Sequence, residues 1–158
     1  MPYHVYDINK SLIDDCFKSA DLSEIEYYQF DDCCLQGEMN IDKDLVNKIY
    51  LTTGLKHNIN PETTKVNHTQ YNIKKLYELE PHIDNCPISL IIYLNKDAAL
   101  EDNFWVDKKQ VDEERWKPQP NHYTAMVMWS AGKNDPGIEH QGYFKGNGSR
   151  EVLCFFLG

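Results

Sequence analysis

Two histidines and one aspartate form the set of residues in this chain that is best suited to hold a metal ion. His82 and Asp84 stand two residues apart in the segment PHIDN (81–85), and His140 lies much later in the chain. On an extended strand, residues two apart point to the same face, so both side chains can reach one ion. Two histidines and one carboxylate on one face of an octahedral metal are the ligands of a non-haem Fe(II) oxygenase. The set therefore predicts oxygen-activating chemistry.

The pattern His-x-Asp is common by chance, so its context decides what it indicates. The plain alternative is a turn histidine at position 82, with Asp84 capping a loop. The apolar run ISLIIYL (88–94) follows directly and can form a strand that fixes the site. His140 lies 58 residues after His82, just before another strand, and a sandwich can bring the starts of two distant strands together. Three protein ligands leave three metal positions open, which suffices for a chelating 2-oxo acid and O2.

Arg150 follows ten residues after His140 and enters a last strand that is apolar from residue 152 to residue 157. Burying an arginine without a partner is very costly, so an inward-facing Arg150 needs a carboxylate. An internal aspartate or glutamate is one candidate. The distal carboxylate of 2-oxoglutarate is the other, because a guanidinium grips a carboxylate through two hydrogen bonds. Tyr93 can add its hydroxyl to the same carboxylate, or it can be an ordinary core tyrosine.

The sequence predicts helices in the first part of the chain and strands in the rest, and these elements must position the candidate site residues. The spacing of apolar residues predicts a helix over 11–20, with Ser11 as its N-cap, and a second over 42–53, begun by Asp42. Short apolar and β-branched runs bounded by Pro, Gly and Asn predict strands in the rest of the chain. The predicted strands are 66–73, 88–94, 104–106, 125–129 and 152–157. They predict a sandwich or small barrel, with the polar stretch 107–121 as a surface loop beside its mouth.

Composition and charge bound the class of protein. A chain of 158 residues with 41% hydrophobic and 26% charged residues is ordinary for one soluble globular domain. Its net charge of −9 repels phosphate backbones, which argues against nucleic-acid binding but leaves a basic protein partner open. No stretch has the pattern of a signal peptide or the length of a membrane span. Five cysteines without a CxxC pattern predict a reducing compartment, hence the cytoplasm, or a host cytoplasm for a viral chain.

Residues 66–158 resemble the Fe(II)/2-oxoglutarate-dependent dioxygenases, and within them the prolyl 4-hydroxylase branch that includes the oxygen-sensing prolyl hydroxylases. The matching stretches, in order, are PHIDN (81–85), ISLIIYLNKD (88–97), AMVMWS (125–130), His140, and GSR (148–150) before the final apolar strand. The resemblance implies a mainly β fold with N-terminal helices and a double-stranded β-helix core, a cupin-like jelly roll. It implies one dioxygenase domain over 1–158, with a helical support region over 1–65.

The same resemblance assigns roles to individual residues. The implied Fe(II) ligands are His82, Asp84 and His140. Arg150 would bind the distal carboxylate of 2-oxoglutarate with help from Tyr93, and Tyr71 stands near the position of a tyrosine that contacts the iron-binding end. O2 is the other co-substrate, ascorbate is an implied reductant, and the implied substrate is a prolyl residue in a peptide or protein. The family often has a Gly-Gly pair after the YLN strand, whereas this chain has AALEDNFW (98–105), so its local loop differs.

Two other functions stay open at this point. The short chain, without a separate substrate domain, also suits a hydroxylase of a free amino acid or a small metabolite. A non-catalytic, cupin-like binding protein is the second alternative, although loss of catalysis usually begins at the metal ligands and all of these are present. A nucleic-acid oxygenase is disfavoured by the acidic charge and by the lack of a second arginine beyond Arg150.

Overall fold

The computed structural model describes residues 3–20, 22–56, 58–78, 80, 82–84, 86–96, 100–105, 124–129 and 139–158. These residues include two α-helices, α1 (Lys10–Ser19) and α2 (Lys43–Thr52), and short 3-10 turns at Leu22–Glu24 and Pro61–Thr63. The strands are β1 (Tyr3–Asp7), β2 (Tyr28–Asp31), β3 (Cys34–Glu38), β4 (Lys65–Glu78), β5 (Ile88–Lys96), β6 (Glu101–Trp105), β7 (Thr124–Trp129) and β8 (Gln141–Leu157). No helix in these ranges is long and apolar enough to cross a membrane.

The strands form one antiparallel sheet that is built around two long strands, β4 and β8, which pair with each other. The order is β1-β7-β5-β8-β4-β3-β2, and β6 pairs with β8. The first part of β8, residues 141–145, pairs with β6, and its part from Arg150 onward pairs with β5, while β4 accompanies both parts. Gly146 and Gly148 lie at the change of partner, with φ angles of 106° and 153° that favour glycine. This topology is the cupin-like jelly roll, so the predicted fold class is confirmed.

The side chains of β5 point alternately to the two faces of the sheet, and each face has its own layer of the core. Ile88, Leu90 and Ile92 pack into a cluster that also contains the buried faces of α1 and α2. Ile91 and Tyr93 contact a second cluster on the other face of the sheet. Successive strand residues face opposite sides, so a strand that is apolar on both faces serves both layers. The helices cover the outer face, and the inner face is left to line a cavity.

Helix α2 offers a matched test of this packing. Ile49 is 0% exposed and Leu51 is 72% exposed, although they stand two residues apart. Ile49→Ala should lower the free energy of unfolding by about 2–5 kcal/mol, because the lost contacts leave a cavity. Leu51→Ala should change it by less than about 0.5 kcal/mol. Urea denaturation followed by circular dichroism measures both changes, and equal losses would contradict the assignment of the buried face.

Both predicted helices are present, and the N-cap of α1 lies two residues earlier than predicted. Asn9, not Ser11, is the N-cap, because the Asn9 side chain accepts a hydrogen bond from the backbone N–H of Ser11 at 2.9 Å. Asp42 caps α2 as predicted, by accepting from the backbone N–H of Asp44 at 2.8 Å. Asparagine and serine are both good N-caps, so composition alone does not choose between them.

The N-terminal region was expected to be helical, and this expectation is incomplete. It also supplies β1, β2 and β3, which form both ends of the strand order. Three of the four residues of β2 are exposed, so this strand lacks the apolar alternation that would reveal it. Three further strands differ in extent by three residues or more: β4 runs to Glu78 instead of residue 73, β6 begins at Glu101 instead of residue 104, and β8 begins at Gln141 instead of residue 152. The predicted loop over 107–121 lies outside the described residues.

Candidate metal centre

The structure brings His82, Asp84 and His140 together at one point. One potential ligand atom from each lies within 4.8 Å of the others. Nε2 of His82 lies 3.2 Å from Oδ1 of Asp84, and Nε2 of His140 lies 3.3 Å from Oδ2 of the same carboxylate. Both rings therefore aim the same nitrogen at one carboxylate group. Such a cluster has the donor chemistry that a divalent transition metal requires.

Backbone hydrogen bonds set the distance between the two histidines. The N–H of His82 donates to the carbonyl oxygen of His140 at 3.1 Å, and the return bond is 3.0 Å long. The two ring centroids are 4.4 Å apart. Nδ1 of His82 lies 2.8 Å from the carbonyl oxygen of Glu80. Because a carbonyl only accepts, Nδ1 carries a proton in this contact, and Nε2 is the nitrogen that would give up its proton to bind a metal.

The neighbours of Asp84 keep its carboxyl group ionised. The side chain is 11% exposed, and this burial by itself would raise the pKa. The hydrogen bonds from His140 and His82 outweigh burial, aided by Ser89, whose Oγ donates to Oδ2 at 2.6 Å, and they hold the pKa of Asp84 well below its usual range. The same contact with Asp84 raises the pKa of His82. The carboxylate is therefore already in its metal-binding form at neutral pH.

Ser89→Ala tests how much the orientation of Asp84 matters. Ser89 is 1% exposed, and its hydroxyl holds one of the two carboxylate oxygens in place. Residues that support metal ligands in this way typically contribute about 10–100-fold to metal affinity, and we expect a loss of that size for Mn(II). Isothermal titration calorimetry measures the affinity, and the exposed Ser11→Ala is the control. An unchanged affinity in Ser89→Ala would mean that the histidines alone orient Asp84.

The cluster lies in the wall of a cavity of about 530 Å³. This volume is typical of sites for small ligands. The inner wall is buried and aromatic: Tyr71, Tyr93 and Phe144 are each less than a tenth exposed, and the rings of Tyr71 and Phe144 lie 4.7 Å apart. The outer part of the wall carries the exposed side chains of Glu78 and Glu80. The cavity thus combines a buried aromatic inner wall with exposed carboxylates.

Arg150, Tyr93 and Tyr71 also come together. Arg150 is 1% exposed and lies on the face of β8 that carries Cys154, which lines the cavity. Its guanidinium carbon lies 4.6 Å from the centre of the Tyr93 ring, and Nη1 donates to the carbonyl oxygen of Leu94 at 3.4 Å. Tyr71 is the partner of Arg150 in the register of β4 and β8. Both tyrosines line the cavity, and Arg150 lies beside them.

Some contributors to the site were not predicted from the sequence. Ser89 interrupts an otherwise apolar run, and a polar residue inside a strand of that kind is a signal that could have identified it. Glu80 acts through its backbone carbonyl, which any residue would supply, so it left no signal. His68 lies away from the cavity: Nδ1 is 2.6 Å from the hydroxyl of Tyr27, and Nε2 is 3.3 Å from a carboxylate oxygen of Glu151.

Comparison with known proteins relates the fold, and not the sequence, to other chains. No protein-family model matches, and no curated protein matches. Among solved structures, the chain is similar to an oxidoreductase of the 2OG-Fe(II) oxygenase family from Burkholderia pseudomallei, with TM-score 0.62, 10% identity, and coverage of 99% of this chain and 84% of that one. It is also similar to IDO from Bacillus thuringiensis, with TM-score 0.59, 10% identity, and coverage of 99% and 92%. At this identity the likeness establishes a common fold.

Proposed function

We propose that this protein is an Fe(II)- and 2-oxoglutarate-dependent oxygenase that hydroxylates a prolyl residue in a peptide or protein. The observation that carries the proposal is the cluster of His82, Asp84 and His140 in the wall of a cavity, with both Nε2 atoms aimed at one carboxylate. Two histidines and a carboxylate are the ligand set of this class of oxygenase. The fold shared with a 2OG-Fe(II) oxygenase family protein supports the same class.

The residues present fit an iron ion. Nε2 of His82, Nε2 of His140 and the Asp84 carboxylate would hold it. The ion held there would supply the activation of O2 that is coupled to the oxidative decarboxylation of 2-oxoglutarate. The protein fixes the ligands through the carbonyl of Glu80 and the hydroxyl of Ser89, which orient His82 and Asp84 respectively. The buried aromatic wall would exclude water on the inner side of the site, while His82 stays partly exposed.

Arg150 is proposed to bind the distal carboxylate of 2-oxoglutarate, with Tyr93 assisting and Tyr71 near the end of the molecule that faces the iron. The support is physical: a guanidinium that is 1% exposed, on the inner face of β8, is a strong and directional attractor of a carboxylate. Both tyrosines line the cavity beside it. The prolyl identity of the substrate and ascorbate as reductant are supported by the sequence resemblance of residues 66–158 alone.

The cytoplasm is the proposed site of action. The five cysteines form no disulfide bond, and two of them, Cys33 and Cys34, are neighbours in the chain. Free thiols persist in a reducing compartment and become oxidised in the secretory pathway. The cysteines therefore support an enzyme that works in reducing surroundings.

Binding of 2-oxoglutarate to anaerobic, Mn(II)-loaded protein is the direct test. We expect saturable binding that becomes at least about tenfold weaker when the metal is omitted, because chelation of the metal adds to the contact with Arg150. Isothermal titration calorimetry measures both affinities, and succinate, which lacks the chelating 2-oxo group, is the control ligand. Absence of metal-dependent binding would overturn the proposal.

Turnover separates the proposed enzyme from its alternatives. With Fe(II) and O2, conversion of 2-oxoglutarate to succinate identifies an enzyme and not a binding protein. Stimulation of that conversion by proline-containing peptides, compared with free amino acids, distinguishes a peptidyl substrate from a small one. A stimulation confined to free amino acids would contradict the prolyl-peptide proposal.

A further inference from the structure

The mouth of the cavity has a composition that the metal chemistry does not explain. The lining of the cavity includes four exposed or half-buried side chains: Phe30 is 55% exposed, Asp31 is half-buried, and Glu78 and Glu80 are exposed. We call these four residues the rim. Among the described residues that line the cavity there is neither a lysine nor an arginine. Three carboxylates, with neither cation among the described lining residues, attract a cationic side chain to the opening.

One carboxylate of the rim is held in a fixed position. Oδ1 of Asp31 accepts the backbone N–H of Cys33 at 2.8 Å, and Oδ2 accepts the hydroxyl of Tyr77. The ring of Tyr77 stacks on that of Phe144 with centroids 6.2 Å apart, which connects Asp31 to the aromatic inner wall. A carboxylate oriented by two donors presents its charge in one direction, and less entropy is lost when a cation binds to it.

Phe30 adds an aromatic face to these charges. A phenylalanine that is 55% exposed at the mouth of a cavity gains little for the fold, and it offers a surface to a ligand. Aromatic rings attract lysine and arginine side chains through their electron-rich faces, and they also cover the aliphatic parts of those side chains. Carboxylates beside an aromatic face therefore match a long cationic side chain better than a small inorganic cation, which would need only the oxygens.

The strand that carries Phe30 and Asp31 favours a peptide as the bearer of that cation. Strand β2 lies at one end of the strand order and pairs, within the described part of the chain, with β3 alone. An edge strand presents backbone groups to which an extended peptide can pair. The occupant is then a segment of extended chain with its basic side chain at the rim and a neighbouring residue inside the cavity.

We propose that the rim binds a lysine or arginine side chain of an extended peptide, and thereby selects substrates in which a basic residue stands close to the hydroxylated one. This rests on the proposed function for the chemistry, but the recognition itself needs no metal. The net charge of −9 suits a basic partner, since long-range attraction accelerates its approach.

The test is the binding of labelled peptides to the full-length, metal-free protein, measured by fluorescence anisotropy. The probes are a short peptide in which lysines flank one proline, and the same peptide with glutamates in place of the lysines. The lysine peptide should bind, and the double variant E78Q/E80Q should bind it about tenfold more weakly. Phe30→Leu, which keeps an apolar side chain but removes the aromatic face, should weaken binding about threefold.

The matched control is the double variant D14N/D15N, which removes two exposed charges from α1, on the face of the sheet opposite the cavity. It should bind the lysine peptide like the wild type. Equal binding of the lysine and glutamate peptides, or an equal loss in the control variant, would overturn the proposal, because only bulk charge would then matter. If free lysine or arginine displaced the labelled peptide as well as the unlabelled peptide does, the proposal that the basic side chain must belong to a peptide would be wrong. Since metal is omitted, failure of 2-oxoglutarate binding would overturn the proposed function and leave this result unchanged.

Discussion

Asp84→Asn is expected to remove metal binding while the fold persists. Asp84 is the one carboxylate of the cluster, and each of its oxygens faces a histidine nitrogen. The amide of asparagine has nearly the same size but no negative charge, and its NH2 group would direct a donor at the place of a metal ligand. We expect the affinity for Mn(II) to fall by at least about 100-fold, and the conversion of 2-oxoglutarate to succinate to fall with it. Calorimetric titration of Mn(II) measures the first effect and product analysis the second.

The control for this variant is Asp44→Asn, in the first turn of α2, where the same change of charge occurs on an exposed residue far from the cavity. It should bind Mn(II) like the wild type. Circular dichroism and urea denaturation show whether both variants are folded. A folded Asp84→Asn protein with undiminished Mn(II) affinity would refute the metal centre, because no other carboxylate belongs to the described cluster.

Much of the fold could be predicted from the sequence, because its buried elements carry strong periodicity. The stripe of Leu45, Val46, Ile49 and Tyr50 predicts α2, and all four residues are buried. The apolar run that predicts β5 is apolar on both faces because two core clusters need it. The strands that were missed, β1 to β3, are short, and β2 is mostly exposed, so pairing with neighbouring strands, and not local hydrophobicity, defines them.

The side chains of the candidate site could be predicted from the sequence, but the backbone hydrogen bonds that align them could not. Residue type and spacing pointed to His82, Asp84 and His140, and the structure brings all three together. What aligns them is a pair of backbone hydrogen bonds between His82 and His140. Backbone groups are the same in every residue, so this bridge and the carbonyl of Glu80 leave no mark in the sequence. The continuation of β8 across Gly148 was hidden for the opposite reason, since glycine usually signals a turn.

Arg150→Met is expected to weaken 2-oxoglutarate binding without changing the affinity for Mn(II). Methionine fills part of the volume of a side chain that is 1% exposed, whereas alanine would leave a larger cavity. Removing the cationic partner of a buried carboxylate costs about 2–5 kcal/mol, so the affinity for 2-oxoglutarate should fall by at least about 30-fold. Titration of 2-oxoglutarate into Mn(II)-loaded protein measures this loss, and titration of Mn(II) alone supplies the internal control.

Arg150→Lys separates the charge of the arginine from its geometry. Lysine keeps a positive charge but lacks the planar group that binds a carboxylate through two hydrogen bonds. The affinity of Arg150→Lys for 2-oxoglutarate should therefore lie between those of the wild type and Arg150→Met. If Arg150 only packs against the Tyr93 ring and donates to the Leu94 carbonyl, the result should differ. Both variants would then be less stable in urea, and their folded fraction would keep the wild-type affinity for 2-oxoglutarate. That outcome would place the co-substrate elsewhere in the cavity. A graded loss from arginine to lysine to methionine, with Mn(II) affinity constant, is the result that a carboxylate-binding arginine requires.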